Sequence, residues 1–230
     1  MRWLYFVFCL TVAACGRVDY DELSAGEFEG SLLVLWIEGG RDKGQGDGVF
    51  VYVPMPGEEL VFRRKDPRAT VKTIRPAAIY TDGGSIPRAA QVFRGFNPWG
   101  YAPAYLIHDW LFVARKCLND GAAQGSETDI ADMQFIESAR VLGEAIKTLV
   151  ETNKVSGDDV APELISRAVA GPISRNLWQQ TGECQSNRLT KEDQERVDKF
   201  TRRNAVKLRT SGVEDVPDLN DVSAVAVVEF

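Results

Sequence analysis

The first half of the chain alternates short apolar runs with turn-forming residues. Residues 32–37 form a continuous apolar run, and residues 49–53 (VFVYV) form a second run that ends at Pro54. Shorter apolar stretches follow at 60–62 and 71–80. Runs of this length, rich in β-branched residues and bounded by glycine and proline, are typical of strands. The pattern predicts a small antiparallel sheet in this half of the chain.

The apolar spacing in the second half is that of helices. Residues 103–116 place their apolar side chains on one face of a helix. A second helix is predicted from about 127 to 152, with Ser126 as its N-cap. Residues 158–180 are predicted to be mostly helical with a break at Gly171-Pro172, because proline cannot continue a helix. A charged helix is predicted over 190–209.

These elements predict an α+β fold in which the small antiparallel sheet packs against a helical layer. The last apolar run, 222–230, is either a strand that completes the sheet or a docking segment, and the strand is favoured. Residues 31–154 are predicted to form the core. Residues 155–230 are predicted to be a helical extension with a strand-like tail, and the acidic segment 15–30 a tether before the core.

The first fifteen residues indicate export. Arg2 gives the start a positive charge, and residues 3–14 are apolar but too few to span a bilayer, which is typical of a signal peptide. The run ends in VAAC at 12–15, and small residues before a cysteine resemble the lipobox of bacterial lipoproteins. That resemblance implies that residues 1–14 are removed and that Cys15 carries lipid. An ordinary signal peptide and a buried N-terminal strand are the alternatives.

The same resemblance predicts the location and one partner. Lipid on Cys15 would attach the protein to a membrane of the bacterial cell envelope. Gly16 stands where a signal for retention in the inner membrane would usually have aspartate, which implies the outer membrane. The chain has 27 basic and 33 acidic side chains. An acidic domain without a basic stripe is a poor nucleic-acid binder, so no nucleic-acid partner is expected, and any protein partner stays unidentified.

The use of cysteine agrees with export. Of the four cysteines, Cys9 lies in the apolar segment and Cys15 in the lipobox. Cys117 and Cys184 remain, and in an oxidising compartment they are predicted to form a disulfide. Closing a loop of that length would stabilise the protein by roughly 4 kcal/mol in the chain-entropy model. Two buried free thiols are the alternative.

The candidate chemistry centres on His108, the single histidine of the chain, which Asp109 follows directly. In the second predicted helix, a step of three back from Phe135 in the buried stripe reaches Asp132. We therefore expect Asp132 to face the core and to hold one imidazole nitrogen of His108, leaving the other nitrogen free as a base. The alternative is a buried pair that only satisfies itself and ties two helices together.

The segment TDGGSIPR, from Thr81, has two interpretations. In the first, the backbone amides of Gly83, Gly84 and Ser85 form a nest for an oxyanion or a phosphate. Asp82 and Asp109 would then hold a divalent cation such as calcium, which prefers oxygen ligands. In the second, Asp82 makes a turn and Ser85 caps a short helix.

These motifs together resemble a bacterial and phage family called domain of unknown function 1353. The resemblance spans roughly residues 28–150 and implies no activity. Members of that family commonly have tyrosine at the position of Phe112. The matching positions are Thr81, Asp82, Ser85, Ile86, Pro87, His108, Asp109, Phe112 and Asp132.

Two functions stay open from the sequence. The first is an envelope hydrolase in which His108 is the general base, Asp132 orients it and Asp109 helps to bind a cation. The second is a non-catalytic lipoprotein whose polar pair is structural and whose surface binds a protein. With one histidine, the chain cannot supply the several histidines of HD-type phosphohydrolases or zinc peptidases, and it contains neither a Walker loop nor a dinucleotide fingerprint.

Overall fold

The computed structural model describes residues 18–39, 48–81, 101–155, 169–214 and 216–230. The strands in these ranges are β1 (Glu27–Glu29), β2 (Ser31–Glu38), β3 (Gly48–Pro54), β4 (Val61–Arg63), β5 (Thr73–Ile74), β6 (Ile79–Thr81) and β7 (Val222–Glu229). The α-helices are α1 (Ala102–Asn119), α2 (Phe135–Glu151), α3 (Pro172–Trp178), α4 (Cys184–Asn187) and α5 (Lys191–Ser211), and a 3₁₀ helix covers Gly125–Ile130.

The strands form two antiparallel sheets. The larger has the order β6-β3-β2-β7 and the smaller the order β1-β4-β5. The predicted α+β fold is confirmed, and the apolar C-terminal run is a strand, since β7 pairs antiparallel with β2. This pairing joins the last residues of the chain to the strand at the centre of the sheet.

Strand β2 is apolar from Leu32 to Ile37 because both of its faces are buried there. Leu32 and Val34 belong to the larger core, which the sheet shares with α1 and α2. Leu33 and Ile37 point to the opposite face and belong to a second core. Successive side chains of a strand alternate between faces, so a strand covered on both sides needs apolar residues at every position.

Helix α5 covers that second face. Val197, Phe200 and Leu208 recur at helical spacing and are nearly or fully buried against the sheet. The helix begins at the predicted residue, because the Thr190 hydroxyl accepts a hydrogen bond from the Asp193 amide at 3.1 Å. The charged helix therefore lies on the sheet through one apolar stripe.

The prediction of a tether over 15–30 is wrong for residues 18–30. Val18 and Leu23 are buried in a small core, and β1 pairs with β4 of the smaller sheet. Gly30 makes the turn from β1 to β2 at φ +81°, where a Cβ would come within 2.3 Å of the Glu59 carbonyl oxygen. Only glycine fits this turn without displacing the backbone.

The second predicted helix begins later than expected. Residues 125–130 form the 3₁₀ helix, and α2 starts only at Phe135, after Gln134 in extended conformation. Ser126 is not an N-cap, because Gln124 and Glu127 form the capping box instead. The predicted apolar stripe within α2 is buried, from Phe135 to Leu149.

The C-terminal part is tied to α1 by a covalent bond. A disulfide bond joins the predicted pair, Cys117 of α1 and Cys184 of α4. Gly171 is the N-cap of α3 and Pro172 its first residue, at the predicted break. The rest of the predicted helix, 158–168, lies outside the described residues. No helix in the described ranges is long and apolar enough to cross a membrane.

Candidate functional site

The candidate site is built on one face of α1. Tyr105, His108 and Phe112 follow one another at spacings of three and four residues, so they share a face of the helix. Asp109 lies at the edge of that face and keeps 29% of its side chain exposed. His108 is 8% exposed and Tyr105 4% exposed, so the imidazole and the phenol both lie largely inside the protein.

The imidazole of His108 has an acid on one side and an aromatic ring on the other. Its Nδ1 is 3.8 Å from Oδ1 of Asp109, which is longer than a hydrogen bond. Its ring centroid is 4.9 Å from that of Phe112. These contacts hold the ring and leave Nε2 as the nitrogen that faces away from Asp109.

Two buried polar atoms of this face have no hydrogen-bond partner among the described residues. They are Nε2 of His108 and the phenolic oxygen of Tyr105. They lie about one helical turn apart on α1. Burial raises the pKa of Tyr105 above its ordinary range, so the phenol keeps its proton. The hydroxyl can therefore donate a hydrogen bond to a ligand. Buried polar atoms are rarely left unpaired, so these two are the atoms of this face that stand out as candidates to bind a ligand.

Helix α3 closes the site on the Phe112 side. The ring of Trp178 packs edge-on against Phe112 at 5.1 Å between centroids. The guanidinium of Arg115 lies over the ring of Trp178, 4.8 Å from its centroid. Burial lowers the pKa of Arg115. The aromatic wall Phe112–Trp178 thus connects the candidate site to α3.

The prediction that Asp132 faces the core beside His108 is wrong. Asp132 is exposed, in the turn between the 3₁₀ helix and α2, so the buried stripe of α2 does not extend back to it. That turn is held to α1 by Arg115, whose Nη2 donates to the carbonyls of Ile130 and Met133 at 3.1 and 2.5 Å. Asp109, rather than Asp132, is the carboxylate beside the imidazole.

The TDGGSIP motif meets the described fold only at its first residue. Asp82, Gly83, Gly84 and Ser85 lie outside the described residues, as does Cys15. The strand that leads into the motif is anchored, because the Tyr80 hydroxyl donates to Oδ2 of Asp193 at 2.7 Å. Within the described ranges, no three His, Cys, Asp or Glu side chains are grouped to hold a metal ion.

The structure also contains a buried charge network that the sequence pattern did not reveal. Arg64, which follows β4, forms ion pairs with Glu137 and Glu144 of α2. Burial raises the pKa of Glu144, although the charge and hydrogen bonds of Arg64 act in the opposite direction. For Glu137, burial is outweighed by hydrogen bonds from Thr70 and Arg64, so its pKa lies below the ordinary value. The signal was the spacing of Glu137 and Glu144, seven residues apart on one helix face.

Comparisons with protein-family models, with curated proteins and with solved structures found no match to this chain. The resemblance to domain of unknown function 1353 therefore stays a prediction.

Proposed function

We propose that this chain is a bacterial cell-envelope lipoprotein with a hydrolytic site at the inward face of α1. The observation that carries the proposal is the pair of buried, unpartnered atoms, His108 Nε2 and Tyr105 Oη. A structural polar pair would satisfy its own hydrogen bonds, whereas a binding site keeps donors and acceptors for its ligand. The resemblance of residues 12–15 to a lipobox supports the envelope location.

The proposed chemistry assigns one role to each group. Asp109 beside Nδ1 favours the tautomer in which Nδ1 carries the proton, so that Nε2 accepts a proton from an attacking water. The Tyr105 hydroxyl donates a hydrogen bond to the oxygen on which negative charge develops. The amides of Gly83, Gly84 and Ser85, with Asp82 as a cation ligand, are the further groups that the motif would bring to the same site.

The test is hydrolysis of a short-chain p-nitrophenyl ester by the purified full-length protein. His108→Gln is expected to lower the rate by roughly 10²- to 10⁴-fold, the usual contribution of a general base. Tyr105→Phe is expected to lower the rate while leaving the melting temperature nearly unchanged. Tyr20→Phe is the matched control, because Tyr20 is a half-buried tyrosine that does not belong to α1 and lies beside Lys147 of α2. Equal rates of ester hydrolysis for wild type and His108→Gln would refute the proposed hydrolytic site.

One observation favours a second function: the His108 ring packs on Phe112, which is partly buried against the larger core. In this alternative the protein is a non-catalytic envelope lipoprotein that binds a protein partner, and His108 is part of the core. His108→Ala would then cost about 1–3 kcal/mol of stability, as expected when buried polar contacts are lost. The wild type would hydrolyse none of the esters, which separates the two functions.

The lipoprotein itself is tested independently of the site. The mass of the mature protein is expected to show lipid on Cys15, and Cys15→Ser is expected to move the protein from the membrane fraction to the soluble fraction. A mature protein that begins elsewhere, or one with an unmodified Cys15, would contradict this part of the proposal.

A further inference from the structure

Helix α3 carries two large apolar side chains into solvent. Ile173 is 77% exposed and Leu177 40% exposed. Their spacing of four residues places them on the same face of the helix. The helix contains no acidic residue, and its one charged side chain is Arg175. A paired apolar surface of this kind is typical of a contact with another apolar phase.

The other end of α3 is fixed in the protein. Trp178 is buried and packs against Phe112 of the candidate site. Arg175 lies 4.9 Å over the ring of Phe135, the first residue of α2. Because α3 is held by these contacts, Ile173 and Leu177 belong to a fixed surface, and their exposure reflects the position of the helix on the domain.

The start of α3 lies beside the point where the described chain begins. Val18 forms a small core with Leu23 and Ala139, and Val169 and Ala170 pack against that core. Ala170 directly precedes Gly171, the N-cap of α3. Val18 and the N-terminal end of α3, where Ile173 lies, are therefore neighbours.

The chain between Cys15 and Val18 is too short to separate the domain from a lipid anchor. Three residue steps span at most about 10 Å even when the chain is fully extended. This step rests on the proposed lipidation of Cys15. With lipid at Cys15, the side of the domain that contains Val18 and α3 is held against the membrane surface.

We propose that Ile173 and Leu177 insert into the surface of the membrane to which Cys15 is anchored. The occupant of the exposed face of α3 is thus the bilayer itself, with its apolar interface region. Asp19, Asp21 and Glu22 are exposed close to the same end of the domain. They disfavour attraction to anionic headgroups, so the contact depends on apolar insertion and needs no anionic lipid.

The experiment places an environment-sensitive fluorophore on the full-length lipidated protein in phosphatidylcholine vesicles. Ile173→Cys and Leu177→Cys are labelled separately, with the native cysteines of the mature chain occupied by lipid at Cys15 and by the disulfide. Val206→Cys is the matched control, because Val206 is 67% exposed but lies on α5. The labels on α3 are expected to shift to shorter emission wavelengths and to be quenched by spin-labelled lipid, and the α5 label is not. Added phosphatidylglycerol is expected to change neither result.

Each other outcome overturns the inference in a recognisable way. If Cys15 carries lipid by mass but the α3 labels remain as solvent-exposed as the α5 label, the lipoprotein stands and the insertion of α3 is wrong. If Ile173→Cys instead crosslinks two copies in the vesicles, the occupant is a second copy of the chain. If Cys15 carries no lipid, the lipoprotein part of the proposed function fails and the inference fails with it.

Discussion

The guanidinium of Arg64 and the carboxylate of Glu144 form a two-pronged ion pair in which neither side chain is exposed. The distances are 2.7 Å from Nε to Oε2 and 2.8 Å from Nη2 to Oε1. The same guanidinium binds Glu137 and donates to the Val71 carbonyl at 3.0 Å. Because Arg64 follows β4 and both acids lie in α2, the network joins the smaller sheet to the helical layer.

The stability of this junction depends on Arg64. Replacing it with leucine leaves two carboxylates in the interior without their cation, and breaking a buried pair typically costs about 3–5 kcal/mol. We expect Arg64→Leu to lower the free energy of unfolding by about that amount in urea denaturation followed by far-UV circular dichroism. The neighbouring Arg63→Leu is the control, because Arg63 pairs with Glu29 and both side chains are nearly half exposed. Similar losses in the two variants would show that the buried network is not what stabilises this junction.

The disulfide is predicted to stabilise the attachment of α4 to α1. Cys117 and Cys184 are separated by 67 residues, so the bond closes a long loop. Cys117→Ala combined with Cys184→Ala is expected to lower the free energy of unfolding by about 4 kcal/mol, chiefly because the unfolded chain gains entropy. The double variant is compared with wild type under oxidising and reducing conditions. Reductant should lower the wild-type melting temperature and leave that of the double variant unchanged, and an equal response of both proteins would contradict the prediction.

Asp120 gives this attachment a pH dependence. Hydrogen bonds from the backbone amides of Gly182 and Cys184, at 2.5 and 2.9 Å, lower the pKa of the Asp120 carboxyl. The unfolded chain therefore binds the proton more readily than the folded protein. The stability that the ionised Asp120 carboxylate contributes is present above the ordinary aspartate pKa, and it is lost as the pH falls through the lowered pKa of the folded protein.

The Asp120→Asn variant tests that dependence. Wild type is expected to lose more stability than Asp120→Asn when melting temperatures are compared between neutral pH and about pH 3, which is below the ordinary aspartate pKa. Asp21→Asn is a suitable control, since Asp21 is an exposed aspartate near the start of the described residues and accepts none of these hydrogen bonds. An equal fall in melting temperature for wild type and Asp120→Asn would show that the Asp120 carboxylate does not contribute to the acid dependence.

The sequence predicted those strands and helices whose apolar runs, caps and breaks depend on residues within or next to the element itself. The apolar run 32–37 became β2, Thr190 caps α5, and Gly171-Pro172 begins a new helix. In each case local chemistry and tertiary packing favour the same structure, so the pattern was sufficient. The α+β class followed from the order of these elements.

The prediction from sequence was wrong where one helical spacing was extended across the turn that precedes α2. Asp132 fits the spacing of the α2 stripe, but the chain between Ile130 and Gln134 is a turn, which Arg115 holds through its carbonyls. Arg115 lies on another helix, and no spacing within α2 could reveal it. The partners of Arg64 were missed for the same reason, because contacts between β4 and α2 depend on the tertiary fold.

The helical pattern and the structure make opposite predictions for a substitution at Asp132. The pattern predicts a buried partner of His108, whose loss would be costly, whereas the structure places an exposed carboxylate in a turn. We expect Asp132→Asn to change the free energy of unfolding by less than about 0.5 kcal/mol, as is usual for surface substitutions. Ester hydrolysis should also persist in Asp132→Asn and fall in Asp109→Asn, because Asp109 is the acid beside Nδ1 of His108. A loss of activity in Asp132→Asn as large as that in His108→Gln, with the melting temperature unchanged, would place Asp132 at the site after all.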